Sequence, residues 1–544
     1  MRPPQISLGP RSAIAGMRFL TGMIPHVRNP VSAVQAQHLL RDRLAQRQET
    51  FAAIIRRAVY GHPDSPYARL LRWTGCEQGD LEKLVREEGM EVCLRTLFAN
   101  GVYLTVDEFK GKKIVRRGSF SMAINPGELR NPLASFHVLA YSGGSRSEKT
   151  PVLIDLEFVR GCAVNTATFL AARGGENWRK AIWEVCGAGA RFRLLKFAAF
   201  GAPPVRYFTP LNPSNAGLHP IFSWSERAMR WAGLVAGVPL PRPQHAPVEN
   251  PGPILEWLQE VFSEGAEAHL LTMASSAVRL SQAALAAGMD LNGLHFTLGA
   301  EPITRRRLEV IRCAGAEALP RYGSMECGPV GYGCLRPSAP DDVHVLQDMH
   351  HLCQAGALGP GIGVPTDALF VTSLHPRSPF VLINVSMGDR GRLFEAECGC
   401  PLQNAGWRTH LCNVGSFEKL TAGGMTFLDS DVIGVLEELL PDRFGGSATD
   451  YQLVEEESDD GRPALKLLIH PRVGALDVAA VREALLESLG SKTIIHKAME
   501  LYWREKKMLE VVREAPRLTP SAKILHMHSG NAVVAAGEHG ARGQ

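Results

Sequence analysis

Along ETFAAIIRRAV, Glu49 to Val59, apolar side chains recur as Phe51, Ile54, Ile55, Ala58 and Val59, the spacing that gathers on one side of a helix. The next hundred residues alternate helical segments of this kind with short apolar runs. From about Ser142 to Met387 the texture stays mixed, with turns rich in glycine and proline. That alternation predicts an α/β fold, sheets flanked by helices. Towards the end the pattern changes scale. ALKLLIHP alternates Leu465, Leu467 and Ile469 as a half-buried strand, and LDVAAVREALLESLG follows as a helix with Asp477 at its N-cap and Gly490 as its stop. A separate small α+β unit is therefore expected to begin near Phe417. The division is a large domain over 1–416, a small one over 417–528 and a tail over 529–544 without fixed structure.

Composition narrows this picture. At 544 residues the chain is too long for one ordinary core, and 45% apolar with 21% charged residues is the balance of a folded, soluble protein. The net charge of +4 is small and no block of Lys or Arg stands out, so neither nucleic acid nor an anionic membrane is implied as a partner. No apolar run reaches the roughly 18 residues of a membrane helix. The N-terminus mixes prolines and arginines and lacks a leader pattern, which places the expectation in the cytoplasm, as a monomer or homodimer. The 11 cysteines are odd in number and scattered, unlike a secreted disulfide framework, yet seven of them fall between Cys313 and Cys412.

Candidate chemistry begins at AYSGGSRSEKTPVLID, Ala140 to Asp155. Glycine and serine let a backbone turn tightly and aim N–H groups and hydroxyls at one point, and Arg146 and Lys149 add positive charge, a composition suited to phosphate. An ordinary flexible surface loop has the same look. A Walker-type loop fits less well, because Glu148 stands where its second glycine belongs and Pro151 follows where a helix should start. Three further stretches come in order: LGAEPITRRRLEVI (Leu298 to Ile311), PRYGSMECGPVGYGC (Pro320 to Cys334) and NVSMGDRGRL (Asn384 to Leu393), the last placing Asp389 in a tight glycine-flanked turn. Each alone reads equally as a turn.

Together, from Gln48 to His528, they resemble the adenylate-forming superfamily of acyl-CoA synthetases, adenylation domains and luciferases. SGGSRSEK is similar to its phosphate loop, YGSME to its Tyr-Gly-x-Thr-Glu signature, MGDRG to its Thr-Gly-Asp turn, and RLTPSAKIL to the segment that carries its catalytic lysine. GAEP, the passage from the loop into PVLID, LTMASSAVRL and the C-G-C at Cys398 to Cys400 look like the phenylacetate-CoA ligase branch.

The resemblance implies an AMP-forming acid–thiol ligase that uses ATP, Mg2+ and coenzyme A. Ser142, Gly143, Gly144, Ser145 and Lys149 would cradle the β- and γ-phosphates. Ala300, Glu301 and Pro302 would line the adenine pocket, with Tyr322, Gly323 and Ser324 beside the base and α-phosphate. Glu326 would hold magnesium, Asp389 would accept from the ribose hydroxyls, and Lys523 would reach from the small domain to the reacting oxygens. Cys334, His344, Cys398 and Cys400 form a soft donor set suited to structural Zn2+. Cys327, His350, His351, Cys353, His410 and Cys412 compete for that role, and a reduced metal-free cluster is the alternative.

Departures from the family pattern are Met325 in place of threonine, Arg146 and Glu148 in the loop, and a hinge segment in which Glu418 or Lys419 would be the pivot. An aryl or arylacetic acid is the implied substrate, and YFTPLNPSNAGLHPIFSW (Tyr207 to Trp224) holds aromatics that could line its pocket. A fatty acid, a carrier-protein arm or a protein cysteine as acceptor, a phosphotransferase yielding ADP, and a catalytically silent nucleotide-binding homologue remain as alternatives.

Overall fold

The apolar runs of the middle of the chain become one twelve-stranded sheet. The computed structural model describes residues 10–135, 138–141, 151–212, 220–359, 363–417, 420–422, 425–427, 429–457, 463–491, 497, 500–501, 503–505, 508–519 and 521–529. The chain divides into two compact units, Met1–Phe417 and Glu418–Gln544.

In the first unit the strands are β1 (Arg179–Trp183), β2 (Arg206–Thr209), β3 (Pro243–His245), β4 (Ala268–Met273), β5 (Leu294–Gly299) and β6 (Glu317–Ser324). They continue with β7 (Gly328–Gly333), β8 (Val343–Val345), β9 (His350–Gln354), β10 (Ala368–Ser373), β11 (Val385–Glu395) and β12 (Thr409–Ser416). Their order across the sheet is β9-β10-β11-β12-β8-β7-β6-β5-β4-β1-β2-β3. From β3 to β6 the pairing is parallel, with every residue of β4 buried, as expected for strands covered on both faces. The covering helices are α1 (Leu156–Ala172), α2 (Ala188–Ala198), α3 (Pro220–Val235), α4 (Gly252–Ser263), α5 (Ala274–Ala286) and α6 (Arg305–Cys313). The predicted α/β class is the one observed.

Strand β6 changes partners along its length. Glu317–Pro320 pair in parallel with β5, and Arg321–Ser324 pair antiparallel with β7, with a register shift between Tyr322 and Gly323. Pro320 has no N–H to give a ladder, so it sits where the pairing changes hands. Glycine is required at 323 by close approach: a Cβ there would strike the Gly328 carbonyl oxygen and meet Pro329 Cα at 3.0 Å.

ETFAAIIRRAV forms the helix Arg47–Ile54, which runs into a wider π-turn at Ile55–Tyr60, and Phe51, Ile54, Ile55, Ala58 and Val59 are all buried. In the second unit β13 (Tyr451–Glu457), β14 (Pro463–Ile469), β15 (Leu509–Val512) and β16 (Met527–Ser529) pair in the order β15-β14-β13-β16 over α7 (Val478–Gly490). Asp477 caps α7 by accepting from the Ala479 and Ala480 N–H groups. α7 ends at Gly490 as expected, but Gly490 is its last helical residue and has no left-handed φ. Its lack of a side chain serves packing, since a Cβ would collide with the Glu500 carboxylate. Among the described residues no helix is long and apolar enough to cross a membrane.

Two buried histidines, His269 and His350, and the half-buried His375 are expected to make the first unit sensitive to acid. His269 bonds Thr297 Oγ1 at 2.8 Å and His350 bonds the Pro329 carbonyl at 3.0 Å, while His375 is boxed in against Gly161. Burial, aided by Arg173 at His269 and by Arg43 at His375, holds those two well below the usual imidazole range; burial lowers His350 to about 4. The folded state keeps them neutral while the unfolded chain takes up protons near pH ~6.5, so stability is full above that value and is lost as pH falls towards the folded values. The urea midpoint is expected to drop between about pH 7 and about pH 5, at up to about 1.4 kcal/mol per pH unit for each histidine. A midpoint independent of pH over that range would contradict it.

Candidate functional site at the carboxyl edge of the parallel strands

In an open parallel sheet whose order runs 3-2-1-4-5-6, ligands bind in the crevice outside the carboxyl ends of the strands. Here β4 ends at Met273, β5 at Gly299 and β6 at Ser324, which brings Ser275, the GAEP segment and the YGSME segment to one edge. Ala300 adopts φ 69°, a left-handed conformation that a residue with a Cβ takes only when its surroundings hold it there. Those surroundings are visible. The Glu301 carboxylate accepts from the Ser275 N–H at 2.6 Å and Oγ at 2.8 Å and pairs with Arg307 at 3.0 Å, both partners buried. Thr304 caps α6 by accepting from the Arg307 N–H at 3.3 Å. Glu301 therefore points into the protein as a strut between α5 and α6, leaving Ala300, Pro302 and the backbone to form the edge.

Tyr322 Oη donates to Asp389 Oδ2 at 2.8 Å, joining YGSME to MGDRG across 67 residues of sequence. Burial and the neighbouring Asp389 push the Tyr322 phenol well above its usual range, so it stays a donor. Asp389 does not sit in a tight turn as its glycines suggested. It lies within β11, paired with Ser416; the φ of +89° at Gly388 and an irregularity between Arg390 and Arg392 bend the strand without ending it. Glu326 follows β6 and is buried, and among the described residues no hydrogen-bond donor reaches its carboxylate. Ser324 Oγ accepts from the Cys327 N–H at 3.1 Å and so pins the turn that holds Glu326.

Ser142, Gly143, Gly144, Ser145 and Lys149 lie outside the described residues, as do Glu418 and Lys419. The strands flanking the loop pair antiparallel, Tyr141 opposite Pro151, so the loop joins a hairpin. A Walker loop leads from a strand into a helix, and that reading is excluded. In the second unit Lys523 is half-buried in another hairpin: its N–H donates to Thr519 Oγ1 at 3.0 Å, its carbonyl accepts from the Thr519 N–H at 2.9 Å, and Ala522 turns the chain at φ 59°.

Cys334, His344, Cys398 and Cys400 converge, their ligand atoms all within 4.8 Å of one another. His344 Nε2 lies 3.2 Å from Cys400 Sγ and 3.7 Å from Cys398 Sγ. Its Nδ1 is 2.7 Å from the Trp407 carbonyl, which fixes the proton on Nδ1 and turns the Nε2 lone pair towards the thiols, as a metal-bound histidine requires. Burial and then His410 lower His344 to about 4, keeping it neutral. Burial opposes ionisation of Cys400, but the N–H groups of Gln403, Leu335 and Leu402 outweigh it and pull the thiol below its usual range. This donor set fits a tetrahedral zinc. Of the rival ligands, only His410 comes close, within a second group with Cys334 and Asp342.

One cluster carries no sequence signal. Arg193 and Lys196 on α2 sit with Glu184 and Arg321 beside the ends of β1 and β5, and Lys196 is fully buried. In ARFRLLKFAAF these cations look like a solvated helix face.

No family model matches the sequence, and among curated proteins no match is found. Solved structures do match. A crystal structure of 2-hydroxyisobutyryl-CoA ligase in the postadenylation state with its acyl-adenylate superposes with a TM-score of 0.53 at 13% identity, covering 92% of this chain and 90% of that one. The fold is similar to that of 2-hydroxyisobutyryl-CoA ligase. The same ligase with R3-HIB-AMP gives 0.52 at 13% identity, over 97% and 93% of the two chains. At such identity the likeness establishes architecture, and the site must be argued from its own residues.

Replacing Tyr322 with Phe removes the donor facing a partly buried carboxylate. Tyr322→Phe is expected to lower unfolding free energy by about 1–3 kcal/mol in urea titration, whereas an unchanged midpoint would show that the bond adds no net stability.

Proposed function

We propose that this protein activates a carboxylic acid with ATP and passes the acyl group to a thiol, with coenzyme A as the foremost acceptor. A carboxylate oxygen attacks the α-phosphorus, the bond to the β-phosphate breaks and pyrophosphate leaves. The thiol sulfur then attacks the acyl carbon and AMP departs with the bonding electrons. The observation that supports this most is the Tyr322–Asp389 hydrogen bond at the carboxyl edge of an adenylate-forming ligase fold. It sets a fixed carboxylate, able to accept from two ribose hydroxyls, beside an aromatic ring that can pack on a base.

Ala300 and Pro302 border the adenine, and Glu301 holds their loop in place. The loop Ser142 to Lys149 takes the β- and γ-phosphates, and Lys523 neutralises charge that builds on the reacting oxygens. Glu326, a buried carboxylate without a hydrogen-bond donor among the described residues, suits a hard cation, and Mg2+ there would offset phosphate charge. Cys334, His344, Cys398 and Cys400 hold zinc as a staple, because four protein ligands leave no open position for chemistry. The implied aryl or arylacetic acids are the first substrates to test, and a carrier-protein thiol is the alternative acceptor.

Acid-dependent exchange of labelled pyrophosphate into ATP is expected with magnesium, and to fall about 10²–10³-fold in Lys523→Ala. ATP binding without exchange for any acid would instead identify a silent homologue, and ADP as product a phosphotransferase. Metal analysis is expected to find about one zinc per chain, lost in Cys398→Ser/Cys400→Ser together with a lower thermal midpoint. Protein free of zinc that keeps its midpoint in strong chelator would remove the metal from this account.

A further inference from the structure

The basic side chains beside β1 and β5, Lys196 fully buried and Arg193 and Arg321 partly so, stand at the place where the sheet order reverses. Glu184 directly follows β1, Arg193 and Lys196 come from α2, and Arg321 is the residue of β6 at which pairing turns antiparallel. A Cβ at Gly299, the last residue of β5, would lie 3.2–3.3 Å from the Arg321 guanidinium nitrogens, so that group rests on the strand end just before Ala300. Successive strand residues point to opposite faces, which sends Arg321 away from its neighbour Tyr322 and towards α2.

These cations are short of partners. Arg193 meets Glu184 at 2.7 Å, with both side chains nearly nine-tenths buried, yet Arg193 Nε and Arg321 Nε are buried with no hydrogen-bond partner among the described residues. Lys196 is 0% exposed, and its amine meets one acceptor among the described residues, Tyr332 Oη at 3.3 Å. That hydroxyl is 2.7 Å from Thr166 Oγ1, which in turn donates to the Cys162 carbonyl at 2.9 Å. Tyr332 must therefore donate to Thr166 and accept from Lys196, leaving the other N–H groups of Lys196 unmatched. Three basic side chains thus face one carboxylate and one neutral phenol. Burial, followed by Arg321 and Arg193, holds the Lys196 ammonium well below the ordinary lysine range, and an anion between the three would restore its charge.

Buried cations with unmet donors are costly unless an anion completes them. The structure assigns Arg193, Lys196 and Arg321 to a second anionic group on the acid being activated, so that the substrate is a dicarboxylic acid, one carboxylate reacting with ATP and the other held here. This rests on the adenylation reading above and specifies its substrate. The ATP phosphates are the competing occupant. Arg321 abuts the strand end behind GAEP, away from Tyr322 and Asp389, and the test separates the two occupants.

The test compares short aliphatic and aromatic dicarboxylic acids with their monocarboxylic counterparts, by pyrophosphate exchange and by calorimetric titration. Wild-type protein, Arg321→Gln and the near-isosteric Lys196→Met are used, with thermal midpoints checked. Dicarboxylic acids are expected to exceed their counterparts about 10- to 100-fold in kcat/KM, an advantage that both variants lose while KM for ATP stays within about twofold. Exchange that favours monocarboxylic acids, or variants that raise KM for ATP alike with every acid, would overturn the assignment while adenylation stands. Should no acid support exchange, titration decides: dicarboxylate binding abolished in the variants upholds the anion site without adenylation, and no binding to wild type refutes it.

Discussion

Everything placed at the carboxyl edge depends on one strand having two kinds of neighbour. β6 gives its first half to a parallel ladder with β5 and its second half to an antiparallel ladder with β7, and the two hydrogen-bond patterns cannot be continued one into the other without a break. Pro320, which gives no ladder donor, and the register shift at Tyr322/Gly323 supply the break. The consequence is geometric. Arg321 is directed to the α2 side, Tyr322 reaches Asp389, and Glu326 follows as the chain turns into β7. A glycine at 323 is what lets the Gly328 carbonyl approach closely enough for this to happen.

The rest of the edge is held by polar contacts that look structural and act by position. The Glu301 carboxylate spends its acceptors on Ser275 and Arg307 and fixes a left-handed Ala300 that would otherwise relax. Ser324 spends its hydroxyl's acceptor on the turn before Cys327. Side chains that resemble direct ligand contacts in a sequence motif can thus serve by keeping backbone in place. The four-ligand cluster at His344 follows the same logic at longer range, tying β8 to the loop that precedes β12.

Several features were legible because they are local. The α/β alternation, the capping of α7 by Asp477 and the buried stripe of ETFAAIIRRAV follow from periodicities of side-chain direction that need no tertiary contact. The grouping of Cys398 and Cys400 with His344 and Cys334 was suggested by residue chemistry. Asp389 was misplaced for a physical reason: glycines at 388 and 391 signal a turn in isolation, but a long strand between two partners absorbs a left-handed glycine as a bend. Gly490 marks the end of α7 as expected, but for packing, since a glycine needed for packing is indistinguishable in sequence from one needed for a positive φ.

By itself the sequence determined the fold class, the order of the motif-bearing segments and the chemistry each segment could carry, because these depend on local periodicity and residue type. Tertiary structure alone decided which groups face one another: that Tyr322 donates to Asp389, that Glu301 turns inward, and that Arg193 and Arg321 gather around a fully buried Lys196. A lysine on a helix reads as solvated until the sheet and the facing helix close over it. Burial and partnership are properties of distant segments brought together, and no local pattern encodes them.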